Sequence, residues 1–371
     1  MQLKLKTATL QAMVSKSVKG ASLHKAIPIT GLMMIELRGK SLILTTTNGF
    51  STLQIIESGV EGQDFFAVVP VELFSKLISK VTTESVMLSL KENGLEVRGN
   101  GVYMLDLALD ESGNMIRFPE VNMPSGPGDP NVQTDVIETA TIKSILSSNK
   151  AAVAMTMEIP HLTGYYCQGD KVITTDTFKV CSNAVKSFSS PVLLPAELVE
   201  LLALASGATI NAYREGSRIV FVGSDMILFG RELEGSQDYP VEAVESFLQE
   251  EFTQTVGITK TALLSALDRL SLFVSPYDEQ GIYLTFAEDH LICHSKRNNS
   301  TEQVKYATGS VGSPFICCVD VELLKSQLLA HEAETITLAY GHPKAIRLNS
   351  GKITQILSLL EDGTMTSEPK S

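Results

Sequence analysis

The stretch Phe66-Ala67-Val68-Val69-Pro70-Val71-Glu72-Leu73-Phe74 occurs three times in this chain in altered form. It returns as Pro191-Val192-Leu193-Leu194-Pro195-Ala196-Glu197-Leu198-Val199, and again as Phe315-Ile316-Cys317-Cys318-Val319-Asp320-Val321-Glu322-Leu323-Leu324. Pro70, Pro195 and Asp320 are evenly spaced: 195 − 70 = 125 and 320 − 195 = 125. Glu72, Glu197 and Glu322 keep the same step. A run of apolar β-formers predicts a buried strand, and Pro or Asp opens a helix well. A glutamate in the first turn is favoured by the helix dipole. The unit is therefore strand, tight turn, helix. The glutamates recur where a helix start recurs, which makes them helix-start residues rather than catalytic ones.

A chain of 371 residues suggests two or three domains. The 125-residue step decides for three, because solenoid repeats run roughly 20–50 residues. A hydrophobic content of 44% and a mean hydropathy of +0.12 fit globular domains with their own cores. No apolar run approaches the roughly 18 residues of a membrane helix. The start, Met1-Gln2-Leu3-Lys4-Leu5-Lys6, alternates like a strand and has no signal-peptide core. A soluble protein of the cytoplasm is expected, without membrane contact. The cysteines at 167, 181, 293, 317 and 318 are odd in number and unpaired in spacing, which points to a reducing compartment. The net charge of −12 argues on average against nucleic acid, yet a basic stripe can sit on an acidic body.

Each third predicts the same order of elements. In the first, a helix over 8–19 places Leu10, Met13, Val14 and Ser17 on one face. Strands follow at 31–37 and 41–47, then the repeated strand with its helix over 71–81, then strands around Glu92-Asn93-Gly94 and at 102–109. The second third predicts a helix over 141–151, strands at 163–168 and 171–175, a helix over 196–206, and strands at 217–222 and 226–233. The third predicts a helix over 260–272 and strands at 281–286, 290–295, 345–349 and 352–359. Gly31, Gly164 and Gly281 open equivalent strands. Residues 122–135, with three prolines and two glycines, read as a linker, and 363–371 as a loose tail. The expectation is an α+β chain of three repeated domains, two helices packed on antiparallel sheets in each. Their bounds are 1–125, 126–253 and 254–362.

Catalytic and metal constellations do not assemble. His290 and His294 share one face of a strand and Cys293 the other, with no second cluster at zinc spacing. Cys317-Cys318 lies in a buried strand. There is no Gly-x-Ser-x-Gly, P-loop or Gly-x-Gly-x-x-Gly. No base can be placed beside Thr174-Thr175-Asp176-Thr177. The chain reads as a non-enzyme without metal or cofactor. Its basic residues recur on equivalent helices: Lys16 and Lys19, Lys76 and Lys80, Lys143 and Lys150, Lys260 and Arg269, and Lys325. Each one alone suits a solvated helix face. Gathered on one surface they would attract phosphates without reading sequence.

With the repeat and helices placed, the chain resembles the β subunit of bacterial DNA polymerase III, the sliding clamp, over about residues 1–362. Ile27-Pro28-Ile29-Thr30-Gly31 resembles the family's Leu-Pro-Ile-Leu-Gly, and Phe118-Pro119-Glu120-Val121 its Phe-Pro segment. Thr175-Asp176-Thr177-Phe178-Lys179-Val180 resembles Thr-Asp-Gly-His-Arg-Leu, and Gln237-Asp238-Tyr239-Pro240 the Pro-Asp-Tyr segment. The resemblance implies a crescent of three domains and a homodimeric ring around duplex DNA, held without sequence specificity. It also implies a clamp loader and a tethered polymerase.

Family roles carry over by position. The resemblance implies a partner-peptide pocket at Leu162, Thr175, Thr177, Phe178, Lys179, Val180, Val244, Ile356, Leu357 and Ser358. It implies DNA-facing residues at the lysines above, with His24 and Lys25 in the loop that carries the family's arginine. It places a dimer interface at Tyr103 and Leu105 against Leu272 and Phe273. Thr177, Phe178 and Lys179 replace Gly, His and Arg, and the chain ends in Leu359-Leu360-Glu361-Asp362 and a tail in place of the family's terminus. These departures mark a divergent member of bacterial or phage origin, placed in the nucleoid or in the host cytoplasm. The segment 196–206 has no lysine or arginine, so the middle third of the channel is expected to be less positive. A second reading is a clamp-like peptide scaffold that does not encircle DNA.

Overall fold

The computed structural model describes residues 2–22, 27–118, 123, 129–274, 281–295 and 300–361. His24, Lys25, Pro119-Glu120-Val121, most of the 122–128 stretch and the 363–371 tail lie outside the described residues. Seven α-helices are described: α1 Thr7–Ser17, α2 Val71–Ser79, α3 Thr139–Asn149, α4 Ala196–Leu202, α5 Val241–Leu248, α6 Lys260–Ser271 and α7 Val321–Leu329. The chain forms two compact units, Met1–Ile142 with Glu197–Glu232, and Lys143–Ala196 with Leu233–Ser371.

The repeated stretch folds as its pattern predicts, with one refinement. Strands Phe65–Pro70, Val192–Pro195 and Phe315–Asp320 run directly into α2, α4 and α7, with no intervening turn. The helices begin at Val71, Ala196 and Val321, so 71 + 125 = 196 and 196 + 125 = 321. Pro70 and Asp320 are N-caps in extended conformation. Asp320 Oδ1 accepts the N–H groups of Glu322 and Leu323, both at 2.9 Å, which satisfies two of the helix's orphan donors. Val71, Phe74 and Ile78 of α2, and Val321, Leu324 and Leu328 of α7, are buried. Their spacing of three and four puts them on one stripe.

In the first unit, an eight-stranded antiparallel sheet runs in the order Phe65–Pro70, Leu32–Arg38, Ser41–Thr47, Thr52–Ser58, Met226–Arg231, Arg218–Val222, Thr209–Glu215, Gln133–Glu138. A four-stranded sheet runs Gln2–Lys6, Ser85–Lys91, Gly94–Arg98, Val102–Leu105. Helix α1 buries Leu10, Met13, Val14 and Ser17, the face expected from the sequence. Gln11 Nε2 donates to the carbonyls of Ile78 and Val81 at 2.9 and 3.0 Å, tying α1 to the end of α2.

In the second unit, a twelve-stranded sheet runs Val192–Pro195, Gly164–Gln168, Lys171–Thr175, Lys179–Asn183, Ile353–Ser358, Ala345–Ser350, Thr335–Tyr340, Gln254–Thr259, Thr301–Thr308, His290–Ser295, Gly281–Phe286, Phe315–Asp320. Phe286 stacks on Tyr340 at 3.9 Å between ring centroids. Cys293 and Cys317 sit in the same apolar core, and burial pushes the Cys293 thiol up to about 12. His294 stacks on Tyr283 at 4.9 Å.

Several sequence expectations need correction. The 102–109 strand ends at Leu105, because the Ala108 N–H turns away to donate to Val68 O at 2.8 Å. The 196–206 helix ends at Leu202 and finishes in tight turns, with the Leu204 and Ala205 N–H groups reaching only three residues back. A helix not foreseen, α5, follows Pro240 and buries Val244, so the chain exceeds two helices per repeat. Strands at Thr52–Ser58, Gln133–Glu138, Lys179–Asn183, Thr209–Glu215, Gln254–Thr259, Thr301–Thr308 and Thr335–Tyr340 also went unread, and Gln133–Glu138 takes residues 133–135 out of the expected 122–135 linker, because they pair with Thr209–Glu215. With them, each repeat carries eight strands and one pair of core helices among the described residues.

Candidate partner-peptide site, basic helices and strand edges

Strands Lys171–Thr175, Lys179–Asn183 and Ile353–Ser358 are neighbours, with Thr175 opposite Val180 and Val180 opposite Ile356. Side chains alternate along a strand, so Ile173, Val180 and Ile356 share one face. Leu162, Tyr166, Tyr239 and Val244 complete a buried apolar cluster there. Tyr239 stacks on Tyr166 at 5.2 Å, and its hydroxyl donates to Ile173 O at 3.3 Å. Burial pushes that phenol well above its ordinary pKa. The structure thus brings together Leu162, Val180, Val244 and Ile356 of the expected pocket. Leu357 points to the opposite face, into the core of α6 and α7. Ser358 is half-buried at the strand end, where its N–H donates to Phe178 O at 3.0 Å.

The Thr175–Lys179 turn forms the rim. Thr175 Oγ1 donates to Lys179 O at 2.7 Å. Asp176 Oδ1 accepts the N–H groups of Phe178 and Lys179 at 3.0 and 2.7 Å. Lys179 is buried and its Nζ pairs with Asp176 Oδ2 at 3.1 Å. Its charge is consumed inside the turn. Thr177 has φ +77°, the one non-glycine residue in the left-handed region among those described. Phe178 is 63% exposed. The side chain that this turn presents outward is therefore the aromatic ring.

Residues that sequence reasoning missed hold α5 in place. Arg347 donates to the carbonyls of Leu248 and Glu250 at 3.3 and 3.5 Å, and its guanidinium lies 4.6 Å from the centre of the Phe252 ring. His342 Nδ1 accepts the Lys344 N–H at 3.2 Å, which leaves Nε2–H to donate to Glu250 Oε2 at 2.8 Å. These partners lie about ninety to a hundred residues apart in the chain, and no local pattern marks them. A cleft of about 670 Å³ opens along the same sheet face, between Ile173, Ser182, Thr354 and the α5 residues Glu245 and Leu248.

The basic helices are only partly basic in effect. Lys16 pairs with Asp225 at 2.6 Å, Lys76 with Glu72 at 2.5 Å, and Arg269 with Glu302 at 2.6 Å. Lys325 meets Asp268 at 2.8 Å and Glu322 at 3.3 Å. Lys260 donates to His331 O at 2.7 Å. Lys19, Lys80, Lys143 and Lys150 are exposed. The repeated helices α2, α4 and α7 carry Glu72, Glu197 and Glu322 in their first turns as expected, and Glu197 accepts a hydrogen bond from the Asn48 side chain.

Two strand junctions join successive repeats. Met226–Arg231, last strand of the second repeat, pairs with Thr52–Ser58 of the first, with Met226 opposite Ile55. Ile353–Ser358, last of the third repeat, pairs with Lys179–Asn183 of the second, with Leu357 opposite Lys179. The same two positions remain open elsewhere. Val102–Leu105, last of the first repeat, is a sheet edge. The Thr301–Lys305 part of Thr301–Thr308 pairs only with His290–Ser295 among the described residues. Val102, Tyr103 and Met104 are exposed, whereas Leu105 is buried within its own unit. Leu272 is 80% exposed, and Phe273 beside it is also exposed.

No protein-family model and no curated protein sequence matches the chain. Solved structures match over nearly its whole length. The β subunit from the DNA polymerase of Streptococcus pyogenes superposes with a TM-score of 0.83 at 19% identity, over 98% of this chain and 100% of that one. The DNA polymerase III β subunit of Thermotoga maritima gives 0.82 at 15%, over 98% and 100%. The Helicobacter pylori β clamp, solved with a DNA ligase peptide, gives 0.77 at 16%, over 97% and 100%. The fold is that of the sliding clamps. More narrowly, it is the three-repeat fold of the bacterial DNA polymerase III β subunit, at low sequence identity.

Proposed function

We propose that this chain is a DNA polymerase processivity factor: a homodimeric sliding clamp that encircles duplex DNA and tethers a polymerase through a peptide pocket. The observation that carries this reading is the pair of open strand edges. One kind of junction, made twice within the chain, has one unused member at Val102–Leu105 and another at Thr301–Lys305. An open edge is a template for pairing. A second copy offers each edge its complement, and two such contacts close a ring related by a twofold axis. Tyr103 on one side and Leu272 and Phe273 on the other supply apolar area beside the joined strands.

The domains are then the three repeats, 1–125, 126–253 and 254–362. The clamp performs no chemistry and needs no cofactor. Lys16, Lys19, Lys76, Lys80, Lys143, Lys150, Lys260 and Lys325, with His24 and Lys25, face the DNA; the ion pairs of Lys16, Lys76 and Lys325 reduce their share of the charge. Weak, non-specific charge suits sliding, because no register on the duplex becomes a deep well. A clamp loader and the polymerase are the further partners, in the cytoplasm at the nucleoid. Leu162, Thr175, Thr177, Phe178, Val180, Val244, Ile356 and Ser358 form the peptide pocket. The ligase peptide on the Helicobacter pylori clamp supports a pocket of this kind.

Light scattering across a dilution series tests the ring. A species near twice 40.2 kDa that persists on dilution is expected, followed by retention on circular DNA and loss from linearised DNA. A monomer at every concentration would favour the second reading, a peptide scaffold that does not encircle DNA. The exhaustion of so many helix lysines in ion pairs favours that reading as the alternative.

A further inference from the structure

The turn that presents Phe178 has a counterpart in the other unit. Strands Ser41–Thr47 and Thr52–Ser58 are joined by Asn48-Gly49-Phe50-Ser51. Asn48 Oδ1 accepts the N–H groups of Phe50 and Ser51 at 2.9 and 2.8 Å, as Asp176 Oδ1 accepts those of Phe178 and Lys179. Thr47 Oγ1 donates to Ser51 O at 2.6 Å and accepts the Gly49 N–H at 3.2 Å. Thr175 Oγ1 does the same for Lys179 O and the Thr177 N–H, at 2.7 and 3.2 Å. Gly49, at φ +93°, takes the left-handed place that Thr177 holds in the other turn. The strand junction beneath is repeated too: Thr52 lies opposite Phe229 as Val180 lies opposite Ile356. Phe50 is 86% exposed, more than Phe178. The fold does not ask for an aromatic residue there. Between the corresponding strands of the third repeat, His290–Ser295 and Thr301–Thr308, the sequence runs Lys296-Arg297-Asn298-Asn299-Ser300. Ile27, also exposed, stands beside the turn, its Cδ1 3.7 Å from where a Cβ on Gly49 would lie.

We propose that the Phe50 turn is a second docking point of this chain, separate from the pocket at Phe178, and that it takes an extended protein segment carrying an apolar anchor and a lysine or arginine. This point does not depend on the pocket reading: its chemistry stands on Phe50, Ile27 and Glu197. A ring with few rotatable bonds, on a turn already fixed by its own hydrogen bonds, loses little entropy when a partner covers it. Charge selects the rest of the occupant. Glu197, exposed in the first turn of α4, accepts a hydrogen bond from the Asn48 side chain and so stands at the foot of the turn. The segment 196–206 holds Glu197 and Glu200 but no lysine or arginine to answer that carboxylate. A cationic side chain is attracted there and a nucleic-acid phosphate is repelled. A second copy is not invited as strand partner, because Ser41–Thr47 and Thr52–Ser58 are each paired on both sides. Phe50 therefore lies away from the open edges at Val102–Leu105 and Thr301–Lys305.

Peptides selected from a random-sequence phage library against the full chain serve as the probe. The clones are sorted by their affinity for the parent, Phe50→Ala, Phe178→Ala and Glu197→Gln. One class is expected to bind Phe50→Ala about tenfold more weakly than the parent and Phe178→Ala equally well, and to carry a lysine or arginine near an apolar residue. Glu197→Gln keeps the acceptor for Asn48 and removes only the charge. It should weaken that class about threefold, a difference that disappears in high salt. Phe50→Ala should melt with the parent, since the bonds of the turn are made by Thr47, Asn48 and the backbone. A selection that yields no clone dependent on Phe50 overturns the docking point, and so does a Phe50-dependent class that is acidic and indifferent to Glu197→Gln. Loss of the dimer or of DNA retention in Phe50→Ala, with every clone bound as by the parent, also overturns it and assigns the ring to a second copy or to DNA. Clones that respond to Phe50→Ala but never to Phe178→Ala would remove the pocket reading and leave this docking point standing.

Discussion

The carboxylate of Asp176 holds Lys179 twice. Oδ1 accepts its backbone N–H at 2.7 Å, and Oδ2 pairs with its Nζ at 3.1 Å. The turn between them is closed on itself, and this forces Thr177 into the left-handed region at φ +77°. A β-branched residue there is strained by roughly 1–2 kcal/mol. Replacing it with glycine relieves the strain and returns part of it as unfolded-state entropy. Thr177→Gly is expected to raise stability by up to about 1 kcal/mol, read as a higher urea midpoint with an unchanged slope. A lower midpoint would mean that the threonine side chain does something the geometry does not show.

The same closure points Phe178 outward while its carbonyl is fixed by the Ser358 N–H at 3.0 Å. Phe178→Ala removes exposed ring area without touching the backbone bond. The expected result is weaker binding of a polymerase-derived peptide, by roughly five- to tenfold, with the dimer mass preserved. Identical affinities would remove Phe178 from the site.

Helix α5 presents Val244 to the apolar cluster, and Arg347 fastens the end of that helix from another strand. Arg347→Leu keeps the packing over Phe252 but deletes the bonds to the Leu248 and Glu250 carbonyls. Peptide affinity is expected to fall severalfold while DNA retention stays as in the parent. Arg347→Lys restores charge but not the planar fork, and should rescue little. A parental affinity in both variants would show that α5 is held well enough without Arg347.

His331 is buried. Its Nδ1 lies 2.6 Å from Ser350 Oγ. Burial pushes its pKa down to about 4, against a hydrogen-bond contribution from Gln355 and assisted by the nearby Lys260 charge. Between that value and an unfolded histidine's roughly 6.5, the unfolded chain takes up a proton and the folded one does not. Stability is therefore full above about pH 6.5 and falls as the pH drops toward about 4, by roughly 3 kcal/mol. Denaturant titrations from pH 7 to 4 should show this loss, and His331→Gln should flatten it. An equally steep profile in the variant would place the proton uptake elsewhere.

Phe273 follows α6 with its ring exposed in the single chain. If it lies in the proposed interface, Phe273→Asp places a carboxylate among apolar groups and should convert the dimer to monomer, a loss of several kcal/mol. Light scattering reads this directly. An unchanged dimer would refute the interface assignment, and the exposed edge strand Val102–Leu105 would then need another partner.

The sequence by itself determined the threefold repeat, because strand-to-helix junctions are local: a run of apolar β-formers, a Pro or Asp, and a glutamate suffice. It also determined the buried face of α1 and the absence of any familiar catalytic motif. It did not show the strand Lys179–Asn183, whose Lys179 and Asn183 read as loop residues. They are buried only because Asp176 answers one, and the Ser148 hydroxyl, at 2.7 Å, answers the other. It did not show which strands join the repeats, since Thr52 meets Phe229 and Lys179 meets Leu357 across more than 170 residues. Gln355 likewise reaches Ser148 O at 3.2 Å, 207 residues away. Helix starts, turns and buried stripes are set by neighbours within a few residues. Pairing partners, buried polar bonds and the edges left open depend on which distant groups can satisfy each other out of water, and only the tertiary structure decided those.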